Sequence, residues 1–243
     1  MTINFEAACR DLFKTEKKWT TLLLLSVCFL IPVVGPMVVM GYLFRRYAGE
    51  RAGIPAADFD FSDFGEHLQA GLWPMLSAMV AAMVCVPFVM LAMVPMFAIP
   101  LIDPENGVLI VTGFVIGMGL YLAALALMNL LIMPIELRSG LTMDFMAGFS
   151  VGFLIDFLRK VGLSYLLWYT LLMMAMIPLM LIGYLALFVG VYVVAAWGAV
   201  ASTHLLFQHY DLYLERGGTP IPVNPALLKV PARPVLPPPP VPG

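Results

Sequence analysis

Four long stretches without a single charged side chain decide what this sequence can become. Residues 19–44, 71–102, 106–135 and 161–203 contain no Asp, Glu, Lys or Arg. Each exceeds the roughly 20 apolar residues that an α-helix needs to cross about 30 Å of hydrocarbon. Closed β-barrels alternate polar and apolar residues in short segments, and these runs do not alternate. The whole chain is 62% hydrophobic and 12% charged, so it lacks the charge that covers a water-soluble fold. The expected class is therefore all-α: a polytopic helical membrane protein. It has an N-terminal helical hairpin (re-entrant or two short spans), four transmembrane helices and interfacial amphipathic helices.

Positive charge supplies the topology. The 13 Lys and Arg residues fall in four stretches: residues 1–18, 45–70, 136–160 and 204–243. The connector 102–107 carries Asp103 and Glu105 but no base. Basic loops stay in the cytoplasm, and a single crossing at 19–44 would put residues 45–70 outside, with the basic stretch 136–160 following them. A reversal within Ile31-Pro32-Val33-Val34-Gly35-Pro36 keeps them together. Pro32 and Pro36 lack backbone donors, and Gly35 permits a sharp turn. The expected layout has both termini cytoplasmic, in the plasma (inner) membrane. The first apolar run lacks a cleavage site for a signal peptide and is expected to be retained.

Between the apolar runs lie three amphipathic stretches. Residues 1–18 put Phe5, Cys9, Leu12 and Phe13 on one helical face, with Arg10, Asp11 and Lys14 around the other, a pattern suited to lying on the membrane surface. Residues 55–70 place Phe61, Phe64 and Leu68 opposite Asp63, Glu66 and His67. Residues 141–160 repeat Phe at 145, 149, 153 and 157. Span 71–101 holds Pro74, Pro87, Pro95 and Pro100, so kinks are expected there. Gly113 and Gly117 form a small-xxx-small pattern that lets helix backbones approach. The run 161–203 would make a helix of about 65 Å at 1.5 Å per residue. It must reverse, most simply between 177 and 184, where Pro178 and Gly183 sit. Residues 1–218 form the membrane domain, and 219–243 read as a proline-rich disordered tail.

Trp19 with residues 22–25, then Ile31-Pro32-Val33-Val34-Gly35-Pro36, Gly41-Tyr42 and Arg45-Arg46, resemble the opening of a group of bacterial and archaeal polytopic membrane proteins. That group is known as domain of unknown function 4013. Phe59-Asp60-Phe61-Ser62-Asp63-Phe64 leading to Gly71-Leu72 is similar to its next segment. His204-Leu205-Leu206-Phe207-Gln208-His209-Tyr210 and Tyr213-Leu214-Glu215-Arg216-Gly217-Gly218 resemble its ending. The resemblance spans residues 5–218; it implies a helical membrane domain and supplies no activity.

Candidate chemistry is sparse. Asp63 and His67 share a helical face, as do His204 and Gln208, and if the two pairs met at the interface they would suit a divalent cation. The plainer reading makes all four the wet sides of interfacial helices. Met90, Met93 and Met96 suit Cu(I) as soft thioethers, but methionine also packs freely in apolar helices. Asn129 is the clearest polar group within a span, with Glu136 and Arg138 just beyond its end as expected interface anchors. No nucleophile elbow, HExxH, phosphate loop or dinucleotide fingerprint occurs. Cys9, Cys28 and Cys85 lack pairing or ligand spacing. The expectation is a non-enzymatic protein without cofactor, a scaffold or accessory subunit with the bilayer and a membrane protein as partners, and no nucleic acid. The rival expectation is a small transporter of neutral or lipid-like cargo.

Overall fold

The computed structural model describes residues 2–228 apart from Ala57, Pro104 and Leu187, and among these residues the fold is helical throughout. The chain opens with α1 (Phe5–Arg10), capped by Asn4, whose side chain accepts from the amide of Ala7 at 2.8 Å. A 3-10 turn (Asp11–Lys14) ends it, closed by the Thr15 hydroxyl donating to the Leu12 carbonyl at 2.9 Å. Two successive short turns replace the single surface helix expected over residues 1–18. The reason is that Asp11, assigned by pattern to the wet face, turns inward and is 1% exposed.

The hairpin follows. α2 (Lys18–Cys28) has 11 residues, about 16 Å at 1.5 Å per residue, half the depth of the hydrocarbon. The chain reverses over residues 29–33, held by the Ile31 amide on the Cys28 carbonyl at 3.0 Å and the Gly35 amide on the Ile31 carbonyl at 3.0 Å. α3 (Val34–Arg51) then returns beside it. Gly35 is obligatory here: a Cβ at this position would stand 1.6 Å from the Cys28 carbonyl oxygen. Pro36 falls in the first turn of α3, where a missing donor costs nothing. Val33 absorbs the corner with φ of 66°, a conformation β-branched residues rarely adopt. The first apolar run is thus a helical hairpin with a short first arm, not one kinked span.

Two long antiparallel pairs complete the membrane part. α4 (Phe64–Ile102) and α5 (Gly107–Thr142) run 39 and 36 residues. The stretch expected to form a separate helix at 55–70 is in fact the start of α4, preceded by one 3-10 turn (Phe61–Asp63). α4 runs on through its four prolines as one element. Gly113 and Gly117 face Ile99 and Met96 of α4. A Cβ at Gly117 would lie 2.5 Å from the Met96 Cβ and 2.6 Å from its backbone nitrogen, so this face of α5 accepts a neighbouring helix only because it is bare.

After α6 (Phe145–Gly148) and α7 (Val151–Phe157), a π turn (Leu158–Gly162) runs into α8 (Leu163–Leu185), which pairs with α9 (Val189–Glu215). The reversal lies later than expected, at residues 186–188, with Phe188 at φ 63°. Pro178 sits inside α8. Gly183 is where α8 meets Gly190 of α9, with 2.9 Å between a would-be Cβ and the Gly190 carbonyl carbon. Four helical stretches (Phe61–Ile102, Gly107–Thr142, Val151–Leu185 and Val189–Glu215) are long and apolar enough to cross a membrane.

The packed core gathers at one end of these pairs. Tyr42, Phe44, Leu137, Phe157, Tyr165 and Tyr213 are all buried below 3% exposure. α3 and α4 touch backbone to backbone there: a Cβ on Gly41 would lie 1.8 Å from the His67 carbonyl, and one on Gly71 1.8 Å from the Met37 carbonyl. The segment expected to leave as a free tail at 219 stays on this body through Leu228. Ile221 and Leu227 are buried, and the Asn224 amide donates to the Leu141 carbonyl at 2.8 Å. The proline-rich remainder, residues 229–243, lies outside the described residues.

Candidate functional site

Charge is concentrated where the N-terminal segment meets α3 and α9. Asp11 Oδ2 lies 2.8 Å from Arg46 Nη2, both side chains 1% exposed, and Tyr47 donates its hydroxyl to the same oxygen at 2.6 Å. His204 Nδ1 stands 2.9 Å from Asp11 Oδ1, in ion-pair range but off the hydrogen-bond direction. Lys14 reaches that oxygen at 3.2 Å, and Arg46 Nε binds Glu50 at 2.9 Å. Burial alone would raise the Asp11 carboxyl. The contact with His204, the Arg46 charge and the Tyr47 hydroxyl outweigh it and hold Asp11 well below the usual carboxylate range.

Three further bonds clasp the same segment. The Gln208 amide accepts from the Asn4 backbone N–H at 2.7 Å and donates to the Asn4 carbonyl at 3.0 Å. Trp197 donates its indole N–H to the Cys9 carbonyl at 2.9 Å. Beside the clasp is a pocket of about 210 Å³ between Tyr47, Glu50, Arg51, His204, Gln208 and Asp211, crossed by the Arg51–Asp211 ion pair at 2.5 Å. The segment is thus tied to the helical body by a buried ionic knot.

The residues weighed as metal ligands separate. His67 is buried between Phe59 and Tyr42, ring centroids 5.5 Å from each. Arg45 Nη1 approaches its Nδ1 at 3.4 Å; arginine only donates, so Nδ1 is the acceptor. Asp63 sits at the entry to α4, His204 in the Asp11 knot, and Gln208 has both amide ends spent on Asn4. His67 and His204 share no partner, and among the described residues no three His, Cys, Asp or Glu form a metal-sized group. His67 and Gln208 are also not on wet surfaces: both are buried, His67 in an aromatic sandwich and Gln208 under the N-terminal segment. Met90 is exposed on the apolar flank, while Met96 fills the notch at Gly117.

A second polar group lies between α5, α8 and α9. Tyr169 donates to Asn129 Oδ1 at 3.2 Å, and Tyr165 stacks on Tyr169 at 5.5 Å and edges His209 at 5.2 Å. His209 Nδ1 donates to the Leu205 carbonyl at 2.8 Å, leaving Nε2 to accept from the Ser164 hydroxyl at 3.3 Å. Glu136, expected as an interface anchor, is instead buried at 8% exposure within electrostatic reach of both tyrosines. Nearby, Ser77 and Ser139 hydroxyls pair across α4 and α5 at 2.6 Å. Arg138 turns away from this group, to a separate pocket under residues 219–222.

Sequence reasoning singled out Asn129, Glu136, His204 and Gln208 but missed the partners that make them two groups. Asp11 and Arg46 are 35 residues apart in the chain, and no local spacing links them. One signal was present: Arg45-Arg46 and Gly41 sit in the family-like opening, a run whose backbone contact with Gly71 and buried arginines explain that residue choice. At mid-depth an apolar groove of about 660 Å³ opens between Phe29, α8 and α9, lined by Met173, Met176 and Met180.

Among known proteins, the model of a family described as "Protein of unknown function (DUF4013)" matches residues 24–191. No curated protein and no solved structure matches the chain.

Proposed function

From a chain that belongs to the DUF4013 family of proteins of unknown function, we propose a non-enzymatic scaffold or accessory subunit of a membrane complex. The observation that carries this reading is the bareness of the spans. In the most apolar window of α4 no residue is buried, and in that of α5 11% are. α4 packs chiefly on α5 and α8 chiefly on α9, whereas α9 also carries α1, α2 and α3, so the bare apolar flanks belong mainly to α4, α5 and α8. Between lipid and a second protein, close packing of helix on helix is what such flanks gain by association. The ionic knot sits at one end, and the polar cluster is enclosed between α5, α8 and α9.

Four crossings with a re-entrant hairpin put the ends of the membrane domain on one side. The grouping of bases supports assigning that side to the cytoplasm, in the plasma membrane. Native mass spectrometry of the chain extracted in mild detergent tests the reading. The expected result is a defined complex with a retained membrane protein. A lone monomer, at every detergent mild enough to keep the fold, contradicts it.

The second reading, carriage of a neutral or lipid-like cargo, draws on the groove at Met173, Met176 and Met180. Its size and apolar lining suit an acyl chain. In liposomes, cargo-dependent flux abolished by Gly198→Leu, which fills the groove, favours it. Flux absent in the wild type removes it.

A further inference from the structure

We infer that the pocket at Arg138 is a binding site for a phosphate-bearing anion at the headgroup level of the membrane. The pocket encloses about 380 Å³ between Arg138, Phe153, Asp156, Tyr213 and the strap at residues 219–222, within the range of ligand sites. The Arg138 guanidinium lies over the Phe153 ring, 5.0 Å from its centroid, and its buried Nε has no hydrogen-bond partner. No carboxylate pairs with Arg138 among the described residues, and the undescribed residues contain no Asp or Glu. A guanidinium packed on a ring at the pocket wall, its Nη groups without a carboxylate, suits the bidentate geometry of phosphate.

The rest of the pocket leaves that charge uncompensated. Asp156 Oδ2 already accepts from Lys160 at 2.8 Å and from the Tyr213 hydroxyl at 2.7 Å. The Tyr213 oxygen in turn accepts from the Thr219 amide at 3.1 Å. Pro220 and Pro222 bring no backbone donors to the rim. Of the lining charges, one acid is satisfied by a lysine and one arginine stands alone, so an anion is favoured.

Depth points to the kind of anion. Arg138 follows the uncharged run 106–135 by three residues, and Lys160 immediately precedes the run 161–203. At about 1.5 Å per residue the guanidinium leaves the hydrocarbon by about 5 Å, inside the headgroup layer that widens a bilayer from about 30 to 40–45 Å. A lipid headgroup and a free phosphate both reach that level.

The test uses the full chain in phosphatidylcholine nanodiscs, titrated with inorganic phosphate, or with phosphatidylglycerol replacing part of the lipid. Bound species are counted by native mass spectrometry. The expected result is one tight equivalent, weakened about tenfold or more by Arg138→Gln, the scale of one charge-assisted contact. Gly152→Leu should also weaken it without touching a charge, because Gly152 lines the pocket and has room for a side chain at its mouth. Arg159→Gln, at an exposed base outside the pocket, should leave binding within about twofold. Capture of phosphatidylglycerol alone identifies the lipid headgroup, and capture of inorganic phosphate identifies a soluble source. No tight equivalent on the wild type, or equal loss in Arg159→Gln and Arg138→Gln, overturns the inference. Should Arg138→Gln fail to fold, undiminished binding by a folded Gly152→Leu does the same.

Discussion

Replacing Asp11 by alanine removes the carboxylate on which Arg46, Tyr47, His204 and Lys14 converge, and leaves the Arg46 charge in place at 1% exposure. Breaking a buried ion pair from one side costs about 3–5 kcal/mol, because the survivor keeps its desolvation penalty without its partner. Arg46 retains Glu50 at 2.9 Å, which places the loss near the lower figure, about 3 kcal/mol. For a chain of this size, each kcal/mol moves the melting point by about 2–4 °C, so a fall of about 6–12 °C is expected. Arg46→Met alone strands Asp11 with His204 and Lys14, and should cost about as much. The double variant Asp11→Ala with Arg46→Met removes both charges of the pair at once. It should lose clearly less than the sum of the single variants. Melting of the detergent-solubilised chain, followed by intrinsic tryptophan fluorescence, measures all four corners of the cycle. Single losses under about 2 °C, or strict additivity, would refute a knot that ties the N-terminal segment to α3 and α9.

Gly41→Ala should be worse than an ordinary overpacking change of about 1–3 kcal/mol. The new Cβ meets the His67 carbonyl and the Gly71 amide nitrogen, which cannot rotate away; loss of the monodisperse folded species in size exclusion checks it. Gly117→Leu should part α5 from α4 at Met96, read as a lower melting point and faster proteolysis near residues 103–106. The Asp11 carboxyl titrates below its unfolded value of about 3.9. Its contribution is therefore present above about pH 4 and is lost as pH falls through the depressed folded-state value. Asp11→Asn should cost most above about pH 4, with the difference from wild type shrinking as pH falls below it. Chelation by EDTA or added Zn²⁺ should leave the melting point unchanged, since His67 and His204 occupy separate sites.

The spans, the first reversal and the bare face at Gly113 and Gly117 are legible because each rests on local composition: absence of charge, proline with glycine, and small residues at spacing four. Where several distant elements meet, local pattern misleads. Asp11 falls on the polar side of a helical wheel beside Arg10, yet its partners come from α3 and α9. Glu136 lies outside the uncharged run and looks solvated, but α8 covers it. Pro178 suggests a break, and α8 absorbs it; the actual corner at 186–188 has no proline, and the glycine before it marks a helix crossing. Proline content at 219–228 suggests a free tail, whereas Ile221 and Leu227 find apolar seats that composition does not reveal.

The doubling back of the chain at residues 29–33 is the claim on which the membrane layout rests. Single cysteines at Lys18, Arg51, Glu105 and Glu215, in a chain with Cys9, Cys28 and Cys85 replaced by serine, can be labelled with a membrane-impermeant maleimide in sealed vesicles of known orientation. The account predicts that positions 18, 51 and 215 label from one face and position 105 from the other. Labelling of 18 and 51 from opposite faces would mean that the first apolar run crosses the membrane, contradicting the hairpin.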